Sequence, residues 1–307
     1  MSDITVLGIF VADISFSGDK IPITGETILG DSYNIGPGGK GCNQAIAISR
    51  LGGKVNFISK LGNDEYGKLA MNKLNKDNID TSNIIISDEH KTGVAGIHVD
   101  RNTGKNSIVV VRGAPSSLTI KEIDIDSIIQ SKIFLTQLEV PLDVTLHCLK
   151  AANKNGLINI LNPAPACELR DDFFGLIDYF TPNETEAEFY TSVKIYSEDD
   201  ARKSANELIK MGIKNVIITL GEKGVFYSNG KDEIYIKASK VKAIDTTGAG
   251  DAFNGGFSLA LLKGKKIKAC LEFANKVAGL STTRLGAGDS MPLLNEIIWK
   301  NKKKPTN

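Results

Sequence analysis

Short apolar runs that alternate with amphipathic helical stretches constrain the fold of this chain more than any other feature. The runs typical of β-strands occupy residues 4–11, 55–61, 133–138, 157–161, 177–181 and 216–220. Helical spacing lies between several of them; Ala201, Ala205 and Leu208, for example, repeat on one face with charged residues opposite. Strands that alternate with helices form parallel βαβ crossovers. The sequence therefore predicts an α/β fold in which helices flank a central, mostly parallel sheet.

Two segments, 14–36 and 92–112, contain β-type residues and Gly/Pro turns but no helical spacing. The second divides into predicted strands over 94–99 and 107–111. Both segments are typical of antiparallel ribbon outside the main sheet. They favour either a small β-sheet that forms a lid over a binding cleft, with an outer edge that can pair with a second copy, or a plain edge hairpin.

The charge balance argues against a partner that is recognised by bulk electrostatics. Lys+Arg is 37 and Asp+Glu is 36, so the net charge is only +1, and we expect neither a nucleic-acid nor a membrane partner. The basic run at 302–304 fits a solvated chain end better than a nucleic-acid patch. We predict one α/β domain over 1–300, including the lid, followed by a polar tail over 301–307.

The cysteine pattern and the N-terminus indicate a reducing compartment. Four cysteines lie far apart without a C-x-x-C pair, which is typical of free thiols and not of a disulfide framework or a zinc site (Cys42, Cys148, Cys167 and Cys270). The N-terminus lacks the basic region and cleavage site of a signal peptide, and no window reaches the roughly 18 uncharged apolar residues of a membrane span. We expect a cytoplasmic protein.

The stretch Asp245–Gly256 carries the strongest chemical signal. The small residues Gly248, Ala249 and Gly250 precede Asp251, and helical spacing begins there. Free N–H groups and the positive end of a helix dipole would form an anion hole suited to a phosphoryl group in transfer. Asp251, in the first turn, can accept the proton of an attacking hydroxyl. The alternative is that Asp251 only caps a helix behind a tight glycine turn.

A second glycine-rich stretch, Gly36–Ala45, also runs into helical spacing. Its glycines match G-x-G-x-x-G, but it does not follow the first strand of a βαβ unit and lacks a well-placed acidic residue, which disfavours an NAD-dependent dehydrogenase. It also lacks the G-K-[ST] of a P-loop. The glycines favour close approach of a ligand to the backbone, with Lys40 and Asn43 as polar contacts, or a purely structural turn.

Two further stretches lie where predicted strands end. Oxygen atoms at Asn183 and Glu186 suit a hard cation that keeps most of its water, such as Mg²⁺. The same pair fits an N-capped helix, and both interpretations can hold together. The turn Thr219–Gly224 can hold nucleotide phosphates, or is only a turn.

Taken together, these stretches resemble the ribokinase (pfkB) family of carbohydrate kinases, from about Val6 to Pro292. Residues 38–43 resemble the family's N-terminal signature and residues 245–251 its C-terminal signature, in the expected order and separation. Four further stretches resemble the ribokinase branch within this family: 137–139, 161–166, 181–186 and 282–287. The resemblance implies the ribokinase-like fold and transfer of a phosphoryl group from ATP to O5 of D-ribose.

The resemblance also implies roles for individual residues. Those implied at the sugar and the reacting centre are Asp13, Gly39, Lys40, Asn43 and Glu139, with Asp251 as the base beside Gly248, Ala249 and Gly250. Those implied at the nucleotide are Asn183, Thr219, Leu220, Gly221, Glu222, Lys223, Gly224, Gly250 and Asn275. Glu186 is implied to order Mg²⁺ through water, and the positions around an activating monovalent cation, usually K⁺, are Asp245, Thr247, Ser281, Arg284, Gly286 and Ser290. Members often pair their β lids, so a homodimer is implied.

One position departs from the family pattern and concerns the acceptor. Ribokinases usually carry Asn two residues before the sugar-binding Asp, and here that place is Val11, ahead of Asp13. Loss of a buried amide from a site that recognises hydroxyls can change discrimination by orders of magnitude. The acceptor can therefore be 2-deoxyribose, another sugar or a nucleoside. A catalytically silent sugar-binding protein is the remaining alternative, and Asp251 beside the small residues argues against it.

Overall fold

The structure, a computed structural model, describes residues 2–299, and the predicted tail 301–307 lies outside the described residues. Its strands are β1 (Ile4–Leu7), β2 (Val11–Gly18), β3 (Ser32–Gly38), β4 (Val55–Gly62), β5 (Ile84–Ser87), β6 (Thr92–Asp100), β7 (Asn106–Gly113), β8 (Ile133–Thr136), β9 (Ile158–Leu161), β10 (Tyr179–Phe180), β11 (Asn215–Thr219), β12 (Gly224–Ser228) and β13 (Glu233–Lys237). Its helices are α1 (Lys40–Arg50), α2 (Glu65–Lys76), α3 (Ile125–Ile129), α4 (Leu142–Lys154), α5 (Glu184–Thr191), α6 (Glu198–Lys210), α7 (Ala249–Leu262), α8 (Ile267–Ser281) and α9 (Leu294–Trp299).

The main sheet confirms the predicted α/β architecture. Its nine strands run in the order β13-β12-β11-β10-β9-β8-β1-β4-β5. The pairs from β11 through to β5 are parallel, and β12 and β13 add an antiparallel hairpin at one end. The buried strands present continuous apolar runs because helices cover both faces, as expected for a parallel sheet. None of the helices over residues 2–299 is long and apolar enough to cross a bilayer.

The second, smaller sheet confirms that the two irregular segments lie apart from the main sheet. It has four strands in the order β3-β2-β6-β7. Each predicted ribbon is antiparallel internally (β2 with β3, β6 with β7), while a parallel pair between β2 and β6 joins them. Residues that are paired across neighbouring strands point to the same face of the sheet. Asp13 is paired with Ala95, and Ala95 with Val110, so these three residues share one face of the small sheet.

The predicted strand over 4–11 was wrong, because it spans the junction between the two sheets. Strand β1 ends at Leu7 and β2 begins at Val11, in the small sheet. The whole segment is buried, so hydrophobicity alone gives no sign of the break. The physical reason for the break is a close backbone approach: a Cβ added at Gly8 would lie 2.7 Å from the Cα of Gly41, at the start of α1.

Close packing of α1 against α7 sets the relative position of the two glycine-rich stretches. A Cβ added at Gly255 on α7 would lie 2.6 Å from the Cβ of Ala47 on α1, so the helices cross at a distance that only glycine permits there. Helix α7 is buried along most of its length, and α8 covers its other side, where Gly256 faces Val277. The first turns of α1 and α7 are thereby brought together.

Candidate active site

Polar residues collect at the carboxyl ends of four neighbouring strands of the main sheet. Glu139 follows β8, Asn162 follows β9, Thr181 follows β10, and Thr219 ends β11. The carboxyl edge of a parallel sheet is where α/β proteins place their ligands. The N-termini of α1 and α7 point to this edge as well, and their residues share one cavity with these strand ends.

This cavity has a volume of about 160 Å³ and unites residues from all the stretches that the sequence singled out. The predicted site residues that line it are Lys40, Asn183, Glu186, Thr219, Gly248, Ala249, Gly250 and Asp251. Further lining residues without a predicted role are Asn162, Ala164, Thr181, Thr246 and Asn254. One small space therefore holds a helix N-terminus, an ammonium group and two carboxylates.

Two amides from α1 hold the carboxylate of Asp251. Asn43 Nδ2 donates to Asp251 Oδ2 at 2.9 Å, and Gln44 Nε2 donates to Asp251 Oδ1 at 2.9 Å. Gln44 is itself held by Gln137, whose Nε2 donates to Gln44 Oε1 at 2.6 Å. Burial raises the pKa of Asp251 above its ordinary value, and the nearby Lys40 acts in the opposite direction. The arrangement orients a desolvated carboxylate of increased basicity.

Three more charged groups surround Asp251. Burial alone would lower the pKa of Lys40, but the carboxylates of Asp251, Glu139 and Glu186 outweigh it and raise that pKa. Burial raises the pKa of Glu139 to about 7, while its oxygen Oε2 accepts from the backbone N–H of Lys40 at 2.9 Å. Burial, and then the charge of Asp251, raises the pKa of Asp13 to about 6. These carboxyl groups resist ionisation because they share a poorly solvated space.

Backbone of the Gly36–Ala45 stretch fills the wall beside Asp13. A Cβ added at Gly38 would lie 2.1 Å from Asp13 Oδ1, so the carboxylate lies directly against the chain. Gly39, the N-cap of α1, has φ of 87°, and a Cβ there would lie 2.5 Å from the carbonyl oxygen of Ile9. The groups that approach these glycines are therefore parts of the protein itself, which favours the structural interpretation of the stretch, and close approach of a ligand stays a prediction.

Asn183 and Glu186 form a reciprocal cap at the start of α5. Asn183 Oδ1 accepts from the N–H of Glu186 at 2.8 Å, and Glu186 Oε2 accepts from the N–H of Asn183 at 2.9 Å. The capping interpretation is thus confirmed, while both residues also line the cavity. Burial raises the pKa of Glu186, partly against the charge of Lys40. Asn183 also forms an isolated bridge with Thr219, which joins this cap to the next strand end.

The turn after Thr219 is a 3₁₀ turn over Gly221–Lys223 that extends the same edge of the sheet. Its residues Leu220–Gly224 do not line the cavity, and Lys223 Nζ donates to the carbonyl of Tyr196 at 3.1 Å. Asn275 lies on α8, where its Nδ2 donates to the carbonyl of Lys237 at 2.7 Å. Lys237 pairs with Gly224, so Asn275 lies near the end of this turn. The nucleotide-side roles of these residues stay predictions.

The residues predicted around a monovalent cation form two loops that meet behind Gly248. Asp245 Oδ1 accepts from Thr247 through its N–H at 2.9 Å and its hydroxyl at 2.6 Å, and Asp245 Oδ2 accepts from the N–H of Gly286 at 2.9 Å. The hydroxyls of Ser281 and Ser290 donate to the carbonyls of their own turns, at Ala278 and Ala287. Arg284 pairs with Glu296, so its guanidinium points to α9. Within residues 2–299, no three His, Cys, Asp or Glu side chains gather as a metal-binding group.

Sequence reasoning assigned no role to several residues that build the site. Gln44 orients Asp251, and Asn162 Oδ1 accepts from Gln44 Nε2 at 3.2 Å. Thr181 donates to Asn254 Oδ1 at 2.7 Å across the cavity. Each of these residues lies inside or beside one of the sequence motifs described above. Its position in a motif was therefore the sequence signal that could have identified it as part of the site. A buried amide network depends on side-chain directions that spacing does not give.

A larger depression of about 700 Å³ lies elsewhere, between the start of α2 and the small sheet, and contains none of the predicted site residues. Tyr66, Val94 and Val111 contribute to its apolar lining. Of these two cavities, we take the smaller as the functional site because it combines a helix N-terminus with strongly buried ionisable groups whose pKa values are shifted.

Comparison with known proteins gives a consistent result over nearly the full length. The pfkB family carbohydrate kinase model matches residues 1–294. The chain is 44% identical to a ribokinase of Haemophilus influenzae, over 96% of this chain and 97% of the relative. It is 34% identical to a deoxyribokinase of Salmonella typhi, over 96% of this chain and 97% of the relative. The structure of Arabidopsis thaliana ribokinase complexed with ribose and ATP is similar with a TM-score of 0.91, at 30% identity over 98% of this chain and 99% of that one.

Proposed function

The chain belongs to the pfkB family of carbohydrate kinases, and we propose that it transfers the γ-phosphoryl group of ATP to O5 of D-ribose, giving ribose 5-phosphate. The observation that carries the proposal is the buried carboxylate of Asp251 in the first turn of α7, beside the small residues that begin this helix. Relatives named ribokinase, one of them solved with ribose and ATP, support the choice of donor and acceptor.

Asp251 is the proposed base. Asn43 and Gln44 fix its two oxygens, and burial raises its pKa, which favours acceptance of a proton from an attacking hydroxyl. The proton moves from O5 of the sugar to Asp251 while the oxygen attacks the γ-phosphorus of ATP, and the bond from that phosphorus to the bridging oxygen breaks, so that ADP leaves. The N–H group of Gly250 and the positive end of the α7 dipole stabilise the charge on the transferred group, while the N–H of Ala249 donates to the carbonyl oxygen of Thr246 at 3.2 Å.

The space beside Gly250 supports this role. A Cβ added at Gly250 would meet nothing within 4 Å, so packing within the protein does not require glycine there. Lys40 also lines the cavity and supplies a positive charge there. The proposed sugar contacts are Asp13, Gly39, Lys40, Asn43 and Glu139; Glu139 accepts from the N–H of Lys40, and Asn43 donates to Asp251.

Two metal ions fit the residues present. Glu186 places a partly buried carboxylate on the cavity wall within the field of Lys40, which suits Mg²⁺ held through water, and Mg²⁺ would neutralise charge on the nucleotide phosphates. The loops at Asp245–Thr247 and 281–290 are joined by Asp245 and carry a high density of oxygen atoms, which suits K⁺. Arg284 would contribute its carbonyl oxygen, since its side chain pairs with Glu296.

Asn183, the turn Thr219–Gly224 and Asn275 are the proposed nucleotide contacts. Asn183 and Thr219 line the cavity and are joined by a bridge. Gly224, at the end of the turn, pairs with Lys237, whose carbonyl accepts from Asn275. A nucleotide whose phosphates lie at Gly248–Gly250 would extend along this edge.

A second acceptor, 2-deoxyribose, follows from one position. Val11 is 3% exposed and two residues from Asp13 on the same face of β2. An apolar group here offers no hydrogen bond to a sugar hydroxyl, and a relative named deoxyribokinase is 34% identical. Another sugar or a nucleoside would use the same chemistry.

We propose that the small sheet is a lid within a single α/β domain and that two lids pair in a homodimer. The face away from Asp13 exposes large apolar side chains: Phe16, Tyr33, Ile35, Val109 and Val111. Exposed apolar patches of this kind mark interaction surfaces. Light scattering coupled to size exclusion should give twice the chain mass, and a monomer would contradict pairing.

Four free thiols and the use of ATP support a cytoplasmic location.

The test is coupled ADP release with ATP, Mg²⁺ and K⁺, comparing D-ribose with 2-deoxy-D-ribose. Asp251→Asn should lower kcat by roughly 10²- to 10⁴-fold with little change in the sugar KM, because the base is lost and the binding groups remain. Asp143→Asn, an exposed carboxyl in the first turn of α4, is the matched control and should leave kcat unchanged. Preference for deoxyribose would select the second acceptor, and silence with both sugars would refute a pentose acceptor.

A further inference from the structure

Gln44, on α1, donates to two acceptors through one side-chain amide. Its Nε2 atom lies 2.9 Å from Asp251 Oδ1 and 3.2 Å from Asn162 Oδ1. The amide is completely buried, and its acceptors belong to the first turn of α7 and to the segment that follows β9. Both N–H groups of the amide are used, so the carbonyl oxygen of Gln44 is the end that still needs a partner.

Two groups that only accept fix the direction of these hydrogen bonds. Asn162 Nδ2 donates to the backbone carbonyl of Thr181 at 3.2 Å, so Asn162 Oδ1 faces Gln44 and accepts from it. An ionised Asp251 also only accepts. Turning the amide of Gln44 would bring its carbonyl oxygen against oxygen atoms of both neighbours. Gln44 Oε1 must therefore point away from the base, into the protein.

Gln137, which follows β8, supplies the donor that this oxygen needs. Its Nε2 atom lies 2.6 Å from Gln44 Oε1. In this orientation Gln137 Oε1 lies against Gly8, where an added Cβ would be only 2.4 Å away from it. Gln137 is 0% exposed, and its Oε1 atom has no hydrogen-bond partner among residues 2–299. A buried carbonyl oxygen without a donor costs free energy, so Gln137 satisfies Gln44 and leaves its own oxygen unpaired.

We propose that Gln137 is a positioning residue for phosphoryl transfer: it donates to Gln44 Oε1, and Gln44 thereby holds the carboxylate of Asp251 in the orientation that accepts the proton of the attacking hydroxyl. The proposal rests on the proposed kinase function, in which Asp251 is the base. Gln137 does not line the cavity and acts on the base through Gln44.

Loss of the donor at position 137 would leave Gln44 Oε1 buried and unpaired. The amide of Gln44 can regain a partner for this oxygen only by turning, which breaks its bonds to Asp251 and Asn162. Asp251 would then be held by Asn43 alone, through the bond to Oδ2. A base held at one oxygen adopts orientations that do not face the hydroxyl, and a misplacement of about 1 Å can cost about 10²-fold in rate. We expect a loss of about tenfold, because one of the two holding bonds remains.

The stability of the fold should depend on Gln137 less than the rate does. Met has nearly the length of Gln but carries neither its donor nor its acceptor. In Gln137→Met the unpaired oxygen of residue 137 disappears while Gln44 Oε1 becomes unpaired, so the number of unpaired buried oxygens stays the same. The variant loses one hydrogen bond and no packing volume to speak of. A loss of rate without a comparable loss of stability distinguishes positioning from a structural role.

The first test compares Gln137→Met with wild type in coupled ADP release, with D-ribose or 2-deoxy-D-ribose as acceptor, and in urea denaturation. The kcat should fall about tenfold, the KM values for sugar and ATP should stay within about twofold, and the urea midpoint should stay within about 0.5 M. An unchanged kcat, with or without a lower urea midpoint, would overturn the proposal.

Asn159, on β9, is the matched control, because it is also completely buried and also has an unpaired oxygen, Oδ1. Its Nδ2 atom donates to the backbone carbonyls of Leu149 and Leu176, at 3.0 Å and 2.9 Å, and not to a residue of the site. Asn159→Leu should show the opposite pattern, a lower urea midpoint with unchanged kcat. An equal loss of kcat in Asn159→Leu would mean that loss of any buried amide slows the enzyme, which would overturn the proposal.

The route through Gln44 is tested by a double-mutant cycle. Gln44→Met alone should lower kcat by at least as much as Gln137→Met. In the Gln44→Met background, Gln137→Met should lower kcat no further, because both changes act on Asp251 through the same hydrogen bond. Effects that multiply would show that Gln137 acts by another route and would contradict the proposal.

A measurement without substrates separates this inference from the proposed function. The side-chain amide ¹H–¹⁵N resonances of Gln44, assigned by their loss in Gln44→Met, should exchange slowly with water in the wild type and faster in Gln137→Met. If the wild type is inactive with both pentoses, the proposed acceptor fails, and these resonances still decide the link. Equal exchange in the two proteins would overturn it, and so would rapid exchange in the wild type, even if Gln137→Met did not fold.

Discussion

The first turns of α1 and α7 are both rich in glycine and both face the candidate site, yet their glycines serve different purposes. At α1, a Cβ on Gly41 would lie 2.6 Å from the Cα of Gly8, backbone against backbone. At α7, a Cβ on Gly250 would meet nothing within 4 Å. Glycine at α1 is required by the packing of the protein on itself. Gly250 of α7 leaves space that the protein does not use, which is the condition for a ligand to reach the helix N-terminus, whereas the N-cap Gly248 has φ of 75° and packs against Ala287.

The largest expected effect is a loss of stability at α1. Gly41→Ala should lower the free energy of unfolding by about 3 kcal/mol, because its methyl group meets the fixed backbone of Gly8 and Ile9 and not a side chain that can move. The gain in helix propensity, about 1 kcal/mol, does not offset this. Urea denaturation followed by circular dichroism measures it. If the free energy of unfolding of Gly41→Ala equals that of wild type, then packing does not require glycine at the start of α1, and the contrast with α7 fails.

The next effect should be on rate, at α7. Gly250→Ala should lower kcat about 10- to 100-fold, or roughly 1.4–2.7 kcal/mol in activation free energy, because the methyl group occupies the space beside the anion hole. Its stability should stay within about 0.5 kcal/mol of wild type, since the space is open. Gly175→Ala, also open within 4 Å but distant from the site, is the control and should preserve kcat. A Gly250→Ala variant that is destabilised but fully active when folded would contradict the comparison.

The smallest effect concerns Glu139, which lies against the first turn of α1. Its pKa is about 7 in the folded chain and ordinarily near 4.5, so the folded state binds the proton more tightly. Stability from this group is complete below about pH 4.5 and is lost as pH rises to about 7. Compared with Glu139→Gln, the wild type should lose about 1 kcal/mol per pH unit between pH 5 and 7. Chemical denaturation at several pH values measures this, and parallel curves for the two proteins would refute it.

Much of the fold could be predicted from the sequence, because the spacing of apolar residues along the chain reflects directly which side of a helix or strand is buried. The βαβ rhythm, the separate small sheet and the start of α7 near Gly248 were confirmed. The strand predicted over 4–11 was wrong because a buried chain that passes between two sheets looks the same in hydrophobicity as one continuous strand. The domain limits, the lid and the roles of individual site residues stay predictions.

The sequence predicted the candidate site as a set of separate motifs. It did not predict the contacts between those motifs. Asn183 and Glu186 were predicted as a cap from their spacing, and local spacing was sufficient because a cap involves one turn of chain. Gln44 was missed as the partner of Asp251 because the two are 207 residues apart and their contact depends on how α1 crosses α7.

The sequence by itself determined which chemical groups this protein has available and which local structures carry them: two glycine-rich helix starts, an acid in the first turn of α7, and strand ends with polar residues. Those features are local, and local spacing encodes them. The tertiary structure alone decided that Gly255 lets α7 approach α1, that Asp251 is held between two amides, and that Glu139 lies against the backbone N–H of Lys40. Burial and charge proximity set the pKa values of these groups, and both arise from contacts between residues far apart in the chain.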